Sequence, residues 1–408
     1  MKKSNYTLAG LPEEILQIFL GGHQLTRKGA NKHRDAMAKA FSNFTKSSEE
    51  GSSPLLTDFK KSQLQPHGRS IMPSQLIWAT DNYSDLGHGF KDTISETANL
   101  KAALEAIVPR KDKALELQKQ RTKEKAEVFT PSWVCNVQNN LADDHSIREG
   151  AFNTTENEGK TWIPSAESVF QDNSEAIAYI ASPRLEITCG EAPYLVSRYD
   201  TVSGEDIPVR DSNGHFQRIG ILDRKLRVAA ETAEQDYYSW EFLALESLKA
   251  TYGYEWQGDS LLLARLNLFN SFLDYRKDFL KTVSKEQRSA IGKKPSKELL
   301  KEVAEIICWN IWQMDGLSMV VPGSCSEKCL RCNKGRLKDS IQKHWGHDGI
   351  LPVIRIKGLV IPFEDLVFYR TAEKQMLKVS EPRVKPAPKR MSLFDFEGFN
   401  VLQKGSES

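Results

Sequence analysis

An α/β fold follows from three stretches of the sequence. Leu185-Glu186-Ile187-Thr188-Cys189-Gly190-Glu191-Ala192-Pro193-Tyr194-Leu195 is an apolar run that closes on a Cys-Gly turn and reopens as an apolar segment. That is the pattern of a strand, a tight loop and a following helix or second strand. Tyr252-Gly253-Tyr254-Glu255 is a short aromatic strand ending in an acid, and Trp256 to Leu268 continues it as an Ala/Leu/Arg helix. A third helix, opened by Pro295 and capped by Ser296, runs to about Cys308 and enters Asn310-Ile311-Trp312-Gln313-Met314-Asp315-Gly316-Leu317. Strands alternating with helices point to a parallel sheet.

Length and composition bound what surrounds this sheet. The 408 residues suffice for two or three domains, or one large domain with appendages. Hydrophobic residues make up 39%, enough for a proper core. Against 54 acidic residues stand 56 basic ones, a net charge of +2, so no global polyanion-binding field exists and any nucleic-acid surface must be local. No run approaches the roughly 18 apolar residues of a membrane span, and Met1-Lys2-Lys3-Ser4-Asn5-Tyr6 leads into no signal-peptide core. A cytoplasmic location and no membrane partner are expected. Six cysteines, three of them at Cys325, Cys329 and Cys332, fit metal or reduced thiols better than a disulfide framework.

Taken in order, residues 1–108 read as a mostly helical N-terminal region interrupted by polar, Ser-rich stretches such as residues 47–53. Within it Ile77 to Gly87 is dense in aromatic and turn residues, and is either a pocket wall or a packing corner. The α/β part spans residues 109–320 and opens on a charged helical pattern. From Pro109 to Lys125 there are basic residues at 110, 111, 113, 119, 121, 123 and 125 against acidic ones at 112, 116 and 124. Arg110, Lys111, Lys113, Lys119, Arg121 and Lys123 are therefore candidate phosphate contacts, with a solvated helix face as the alternative. In Phe129-Thr130-Pro131, Thr130 is the expected cap and Pro131 the first helical residue, a geometry that points N–H donors at an anion. Residues 145–180 lack a clear period and read as a long connection, residues 200–213 as a hairpin or loop, and residues 219–249 as a long helical stretch. Cys325, Cys329 and Cys332, followed by His344 and His347, supply soft ligands for a structural zinc or remain free reduced thiols. This Cys/His-rich segment covers residues 321–380 and holds one strand-like run, residues 353–361. Residues 381–408 form a basic, Pro-containing flexible tail.

Several of these residues, in this order, resemble S-adenosylmethionine-dependent DNA methyltransferases of the adenine-N6 type, similar to the modification (M) subunits of restriction-modification systems. The family's first motif is a Leu-Asp-Pro-Ala-Cys-Gly-Ser-Gly pattern followed by an aromatic residue and Leu. Glu186, Cys189, Gly190 and the Tyr194-Leu195 pair keep it, while Ala192 stands where the second glycine is usual. Phe129, Thr130 and Pro131 match the Phe/Tyr-Thr-Pro motif that contacts the methionine end of the cofactor. Tyr252 to Glu255 looks like the second motif, which implies Glu255 as ribose ligand and Trp256 as cover for the adenine ring; an ordinary buried strand with a solvated Glu255 is the alternative. Asp315 resembles the acid of the third motif, which reaches the adenine amino group, although an Asp-Gly after an apolar run also occurs as a plain turn.

The resemblance implies a Rossmann-like, S-adenosylmethionine-binding sheet, DNA as partner, and Gly190 and Glu255 at the carboxyl ends of adjacent parallel strands. The family's catalytic loop carries a Pro-Pro pair, and this sequence has none. Two functions therefore stand. One is an adenine-N6 DNA methyltransferase or modification subunit, completed by a second protein subunit that supplies catalytic or target-recognition elements. The other is a non-catalytic DNA-binding scaffold subunit that keeps the methyltransferase fold.

Overall fold

The computed structural model describes residues 6–21, 76–113, 130–143, 147–314, 353–356 and 359–362. Three short parallel strands lie side by side in chain order: β3 (Arg184–Ile187), β4 (Thr251–Glu255) and β5 (Ile311–Gln313). Leu185 sits opposite Tyr252 and Glu186 opposite Gly253, while Gly253 faces Ile311 and Glu255 faces Gln313. The first four residues of β4 are buried, as a central strand covered on both faces requires. The chain is a mixed helix-and-sheet protein built on this small parallel sheet.

Helices make the crossovers. Between β3 and β4 run α5 (Ile221–Thr232) and α6 (Tyr237–Lys249); between β4 and β5 run α7 (Gly258–Phe279), α8 (Lys285–Ile291) and α9 (Lys297–Asn310). Ser296 caps α9 through the Leu299 N–H, as the sequence leads one to expect. The stretch expected as one long helix is two, broken where Glu234 and Gln235 take φ of 45° and 69°, and Asp236 caps the second through the Ser239 N–H. Lys225, fully buried on α5, donates to the carbonyls of Ser182 (2.5 Å) and Ala250 (3.0 Å), just past the helices leading into β3 and β4. Burial pulls its ammonium well below the usual lysine range.

The sequence over 145–180 reads as an insertion or long connection, but the described residues from 147 onward carry regular elements. They form the antiparallel hairpin of β1 (Asn153–Glu156) and β2 (Thr161–Pro164), then α4 (Asn173–Ala181), capped by Asp172. The hairpin turns through Asn157, Glu158 and Gly159, all at positive φ. The run at 353–361 is likewise not one strand but an antiparallel pair, β6 (Val353–Ile356) with β7 (Leu359–Pro362).

The N-terminal part supplies α1 (Glu13–Phe19), α2 (Leu100–Ala106) and 3₁₀ turns at Leu8–Gly10, Ser84–Leu86, Ile94–Glu96 and Arg110–Asp112. Its apolar residues Leu8, Phe19 and Trp78 join one continuous core with Trp240, Phe269 and Ile311. Among the described residues, no helix is long and apolar enough to cross a membrane.

One close approach fixes how the N-terminal part meets the sheet. A Cβ on Gly258 would lie 2.3 Å from the Ile77 carbonyl oxygen and 2.7 Å from Ile94 Cδ1, and the Gly258 N–H donates to the Trp78 carbonyl (3.0 Å). Backbone cannot yield as a flexible side chain can. Gly258→Ala is therefore expected to destabilise the protein by about 1–3 kcal/mol in urea unfolding; an unchanged midpoint would mean that residues 76–94 do not seat there.

Candidate functional site

The site is built at the carboxyl ends of β3 and β4. After Ile187 the chain turns sharply through Thr188, Gly190 and Ala192, with φ of 56°, 54° and 66°. Only glycine adopts this left-handed region freely, so Thr188 and Ala192 hold strained backbone. The loop stays in place because β4 grips it. The Cys189 N–H donates to the Tyr254 carbonyl (2.8 Å), and the Gly190 N–H donates to Glu255 Oε2 (2.7 Å). Ala192 closes the turn on the Cys189 carbonyl (2.7 Å). Its methyl is fully buried, so the residue at the second-glycine position packs into the core.

Glycine at 253 makes room for the loop to lie flat on β4. A Cβ there would stand 3.1 Å from Cys189 Sγ and from Ile311 Cδ1, and 3.2 Å from Leu195 Cδ1. The loop's far end is held by α5: the Ile221 and Leu222 N–H groups donate to the Tyr194 and Leu195 carbonyls, each at 2.8 Å. A helix start and a strand tip thus fix the two ends of one short loop. The stretch between the loop and α5 is turns, with single bridges Tyr199–Asp206 and Arg210–Phe216, in agreement with a hairpin or loop there.

Glu255 is the hub. Besides Gly190, the Gln257 N–H donates to its Oε1 (3.0 Å). A carboxylate offers about four acceptor positions, so acceptor capacity remains for a hydroxyl. Burial raises its carboxyl above the usual range, only partly offset by the N–H groups of Gln257, Gly190 and Trp256. In Glu186 burial pushes the carboxyl well above that range; the Tyr194 and Leu195 N–H groups offset part of the rise and the charge of Glu255 adds to it. Glu186 Oε2 is sealed from solvent with no hydrogen-bond partner. Burial raises the Cys189 thiol well above its ordinary value too, so this cysteine is a packed, inert thiol. In front of Gly190 a Cβ would meet nothing within 4 Å, leaving the loop backbone open to an approaching group.

At Thr130-Pro131 the helix α3 (Ser132–Asp143) begins one residue later than the sequence suggests. Pro131 is the cap, its carbonyl accepting from Val134 (3.0 Å), and the Ser132 N–H donates to Asp200 Oδ2 (2.6 Å). A carboxylate does sit at this helix start, and it is the protein's own. Although burial works to raise Asp200, the N–H groups of Ser132, Ser203 and Val202 outweigh it and hold the carboxyl below its usual value. The Thr130 carbonyl accepts from the Thr201 hydroxyl (2.8 Å), joining α3 to the same loop.

Of the basic candidates, Arg110 to Lys113 lie against the far side of the loop. The Arg110 N–H donates to Glu191 Oε1 (2.8 Å), whose Oε2 accepts the Tyr199 hydroxyl (2.5 Å). Lys111 pairs with Asp206 and lies 4.8 Å over the Tyr199 ring, with 13% of its side chain exposed. Burial raises the Glu191 carboxyl, a rise that the Tyr199 hydroxyl, the Arg110 N–H and the nearby charge of Lys113 only partly offset. Phe129, Asp315, Lys119, Arg121 and Lys123, and all of Cys325, Cys329, Cys332, His344 and His347, lie outside the described residues. Among the described residues, no group of three or more His, Cys, Asp or Glu side chains is arranged to hold a metal ion.

Gln313 is a site residue that the sequence did not announce. Its Nε2 donates to the carbonyls of Ile77 and Trp256 (2.8 Å each) and its Oε1 accepts the Ile77 N–H (3.1 Å), binding the tips of β4 and β5 to the N-terminal part. A polar residue ending an apolar strand was the one available signal. No protein-family model, curated protein or solved structure matches the chain.

Two outcomes follow from this geometry. Thr188 is exposed and β-branched at positive φ, so Thr188→Gly is expected to raise stability by about 1 kcal/mol in urea unfolding; a loss would show that the loop does not rest in this conformation. Glu186 has a folded pKa above its unfolded one, so its contribution is present below the unfolded value and is lost as pH rises through the folded value. Glu186→Gln should therefore gain stability relative to the wild type in thermal unfolding as pH rises from 5 to 8, and a variant that instead loses stability relative to the wild type over that range would contradict a raised Glu186 carboxyl.

Proposed function

We propose that this chain binds S-adenosylmethionine across the carboxyl ends of β3 and β4 and serves adenine-N6 DNA methylation, as a methyltransferase or modification subunit of a restriction-modification system. The observation that carries this reading is the 2.7 Å hydrogen bond from the Gly190 N–H to Glu255, which joins the two residues singled out by the first and second motifs at the tips of neighbouring parallel strands. The finer description of the sheet as Rossmann-like belongs to the same proposal. It is supported by three parallel strands in chain order with helical crossovers, the plan of a mononucleotide-binding half.

The residues present fit the cofactor. Glu255 would take ribose hydroxyls on its remaining acceptor positions, the open backbone at Gly190 would face the ligand's centre, and Trp256 would cover the base. The cofactor itself supplies an electrophilic methyl group, so catalysis asks the protein for in-line placement more than for acid–base chemistry. This chain's residues would then hold the donor, and the lack of a Pro-Pro pair leaves the grip on a flipped adenine to a partner subunit with its own DNA contacts. That same lack favours the second reading, a DNA-binding scaffold that keeps the fold without the reaction.

Calorimetric titration with S-adenosylmethionine tests the proposal. Micromolar binding is expected, weakened roughly tenfold or more in Glu255→Ala through loss of hydrogen bonds to a charged acceptor. Glu255→Gln keeps an acceptor for Gly190 and should retain the fold. Absence of binding to the wild type would leave the scaffold reading in its place.

A further inference from the structure

Residues 76–94 are pinned over the tips of β4 and β5 by more than Gln313. The Tyr83 hydroxyl donates to Asp259 Oδ2 (2.9 Å) at the start of α7, and the Trp78 ring stacks on His88 at 5.0 Å and 3°. The loop beyond is equally fixed. The Gly89 N–H donates to Asp92 Oδ2 (2.6 Å), the Ala79 N–H to the Phe90 carbonyl (2.8 Å) and the Trp78 N–H to the Asp92 carbonyl (3.0 Å). On this rigid loop Phe90 leaves 36% of its surface exposed. Its ring lies 5.8 Å from that of Trp256 and tilted at 48° to it, so the pair forms a wedge and not a closed stack. Trp256 follows Glu255 directly in the chain, which puts the wedge beside the carboxylate.

A large apolar ring left partly in water by a well-bonded backbone costs solvation that a planar ligand would relieve. We infer that Phe90 and Trp256 form the base subsite of the candidate site, that residues 76–94 are its wall, and that it takes the purine ring of an adenosine-containing ligand. This rests on the reading of Glu255 as a ribose acceptor. It adds a residue, and a part of the chain, that none of the motifs contains.

The test is calorimetric titration of adenosine and of S-adenosylhomocysteine into the full chain and its Phe90→Ala, Phe90→Leu and Phe90→Tyr variants, each checked for an unchanged melting temperature. Phe90→Ala and Phe90→Leu should weaken both ligands by the same factor, roughly tenfold, because the base is common to both, and Phe90→Tyr should bind as the wild type does. Should Phe90→Ala fail to fold, Phe90→Leu keeps the apolar bulk without the ring and decides alone. Wild-type binding with no loss in the ring-deleted variants would overturn the base subsite and leave the cofactor reading standing. A loss confined to S-adenosylhomocysteine would place Phe90 at the amino-acid end and overturn it too. No binding of either ligand to the wild type would remove both.

Discussion

The tie between the Gly190 N–H and the Glu255 carboxylate is the constraint on which the rest of the site depends. It lets a loop with non-glycine residues in left-handed backbone stay closed, because a charged acceptor bonds about twice as strongly as a neutral one. Everything near it serves the same closure. Gly253 lets Cys189 and Leu195 lie on β4, and the N–H groups at the start of α5 take the carbonyls at the loop's far end. In the proposed reading the same carboxylate that holds the loop would also take the ligand's hydroxyls, so structural and binding roles would share one side chain.

How much of this was legible in the sequence depends on how local the cause is. Ser296 as cap, the strand ending at Glu255 and the Cys-Gly turn are dictated by neighbours within a few residues, and they stand where the sequence puts them. The break between α5 and α6 was not legible, because Thr232-Ala233-Glu234-Gln235 contains neither Gly nor Pro and the turn is imposed by packing and by Asp236. The β1–β2 hairpin escaped notice because its strands are four residues long, though Gly159 marked its turn. At Thr130-Pro131 the helix start was legible to within one residue, but Pro131 and not Thr130 holds the cap position, and the partner Asp200 lies far along the chain. The Cys/His cluster, Phe129 and Asp315 fall outside the described residues.

Burial gives the site its electrostatic character. Glu186 and Glu255 sit on neighbouring strands; burial raises both carboxyls, the charge of Glu255 adds to the rise at Glu186, and the Cys189 thiol beside them is raised by burial too. A site of this kind is poor at holding several negative charges at once. It suits a ligand that brings hydroxyls, a positive centre or a flat ring to the strand tips, and it disfavours a polyphosphate.

The bonds from Gln313 to Ile77 span 236 residues of chain. At a synthesis rate of about 5–20 residues per second, residues 76–94 are made roughly 10–50 s before the strand whose Gln313 holds them emerges. Through that interval the Ile77 N–H and carbonyl lack Gln313, the side chain that joins them to the strand tips. Seating of residues 76–94 on the sheet thus waits for β5, and a chain interrupted before β5 has these residues without the side chain that ties them down.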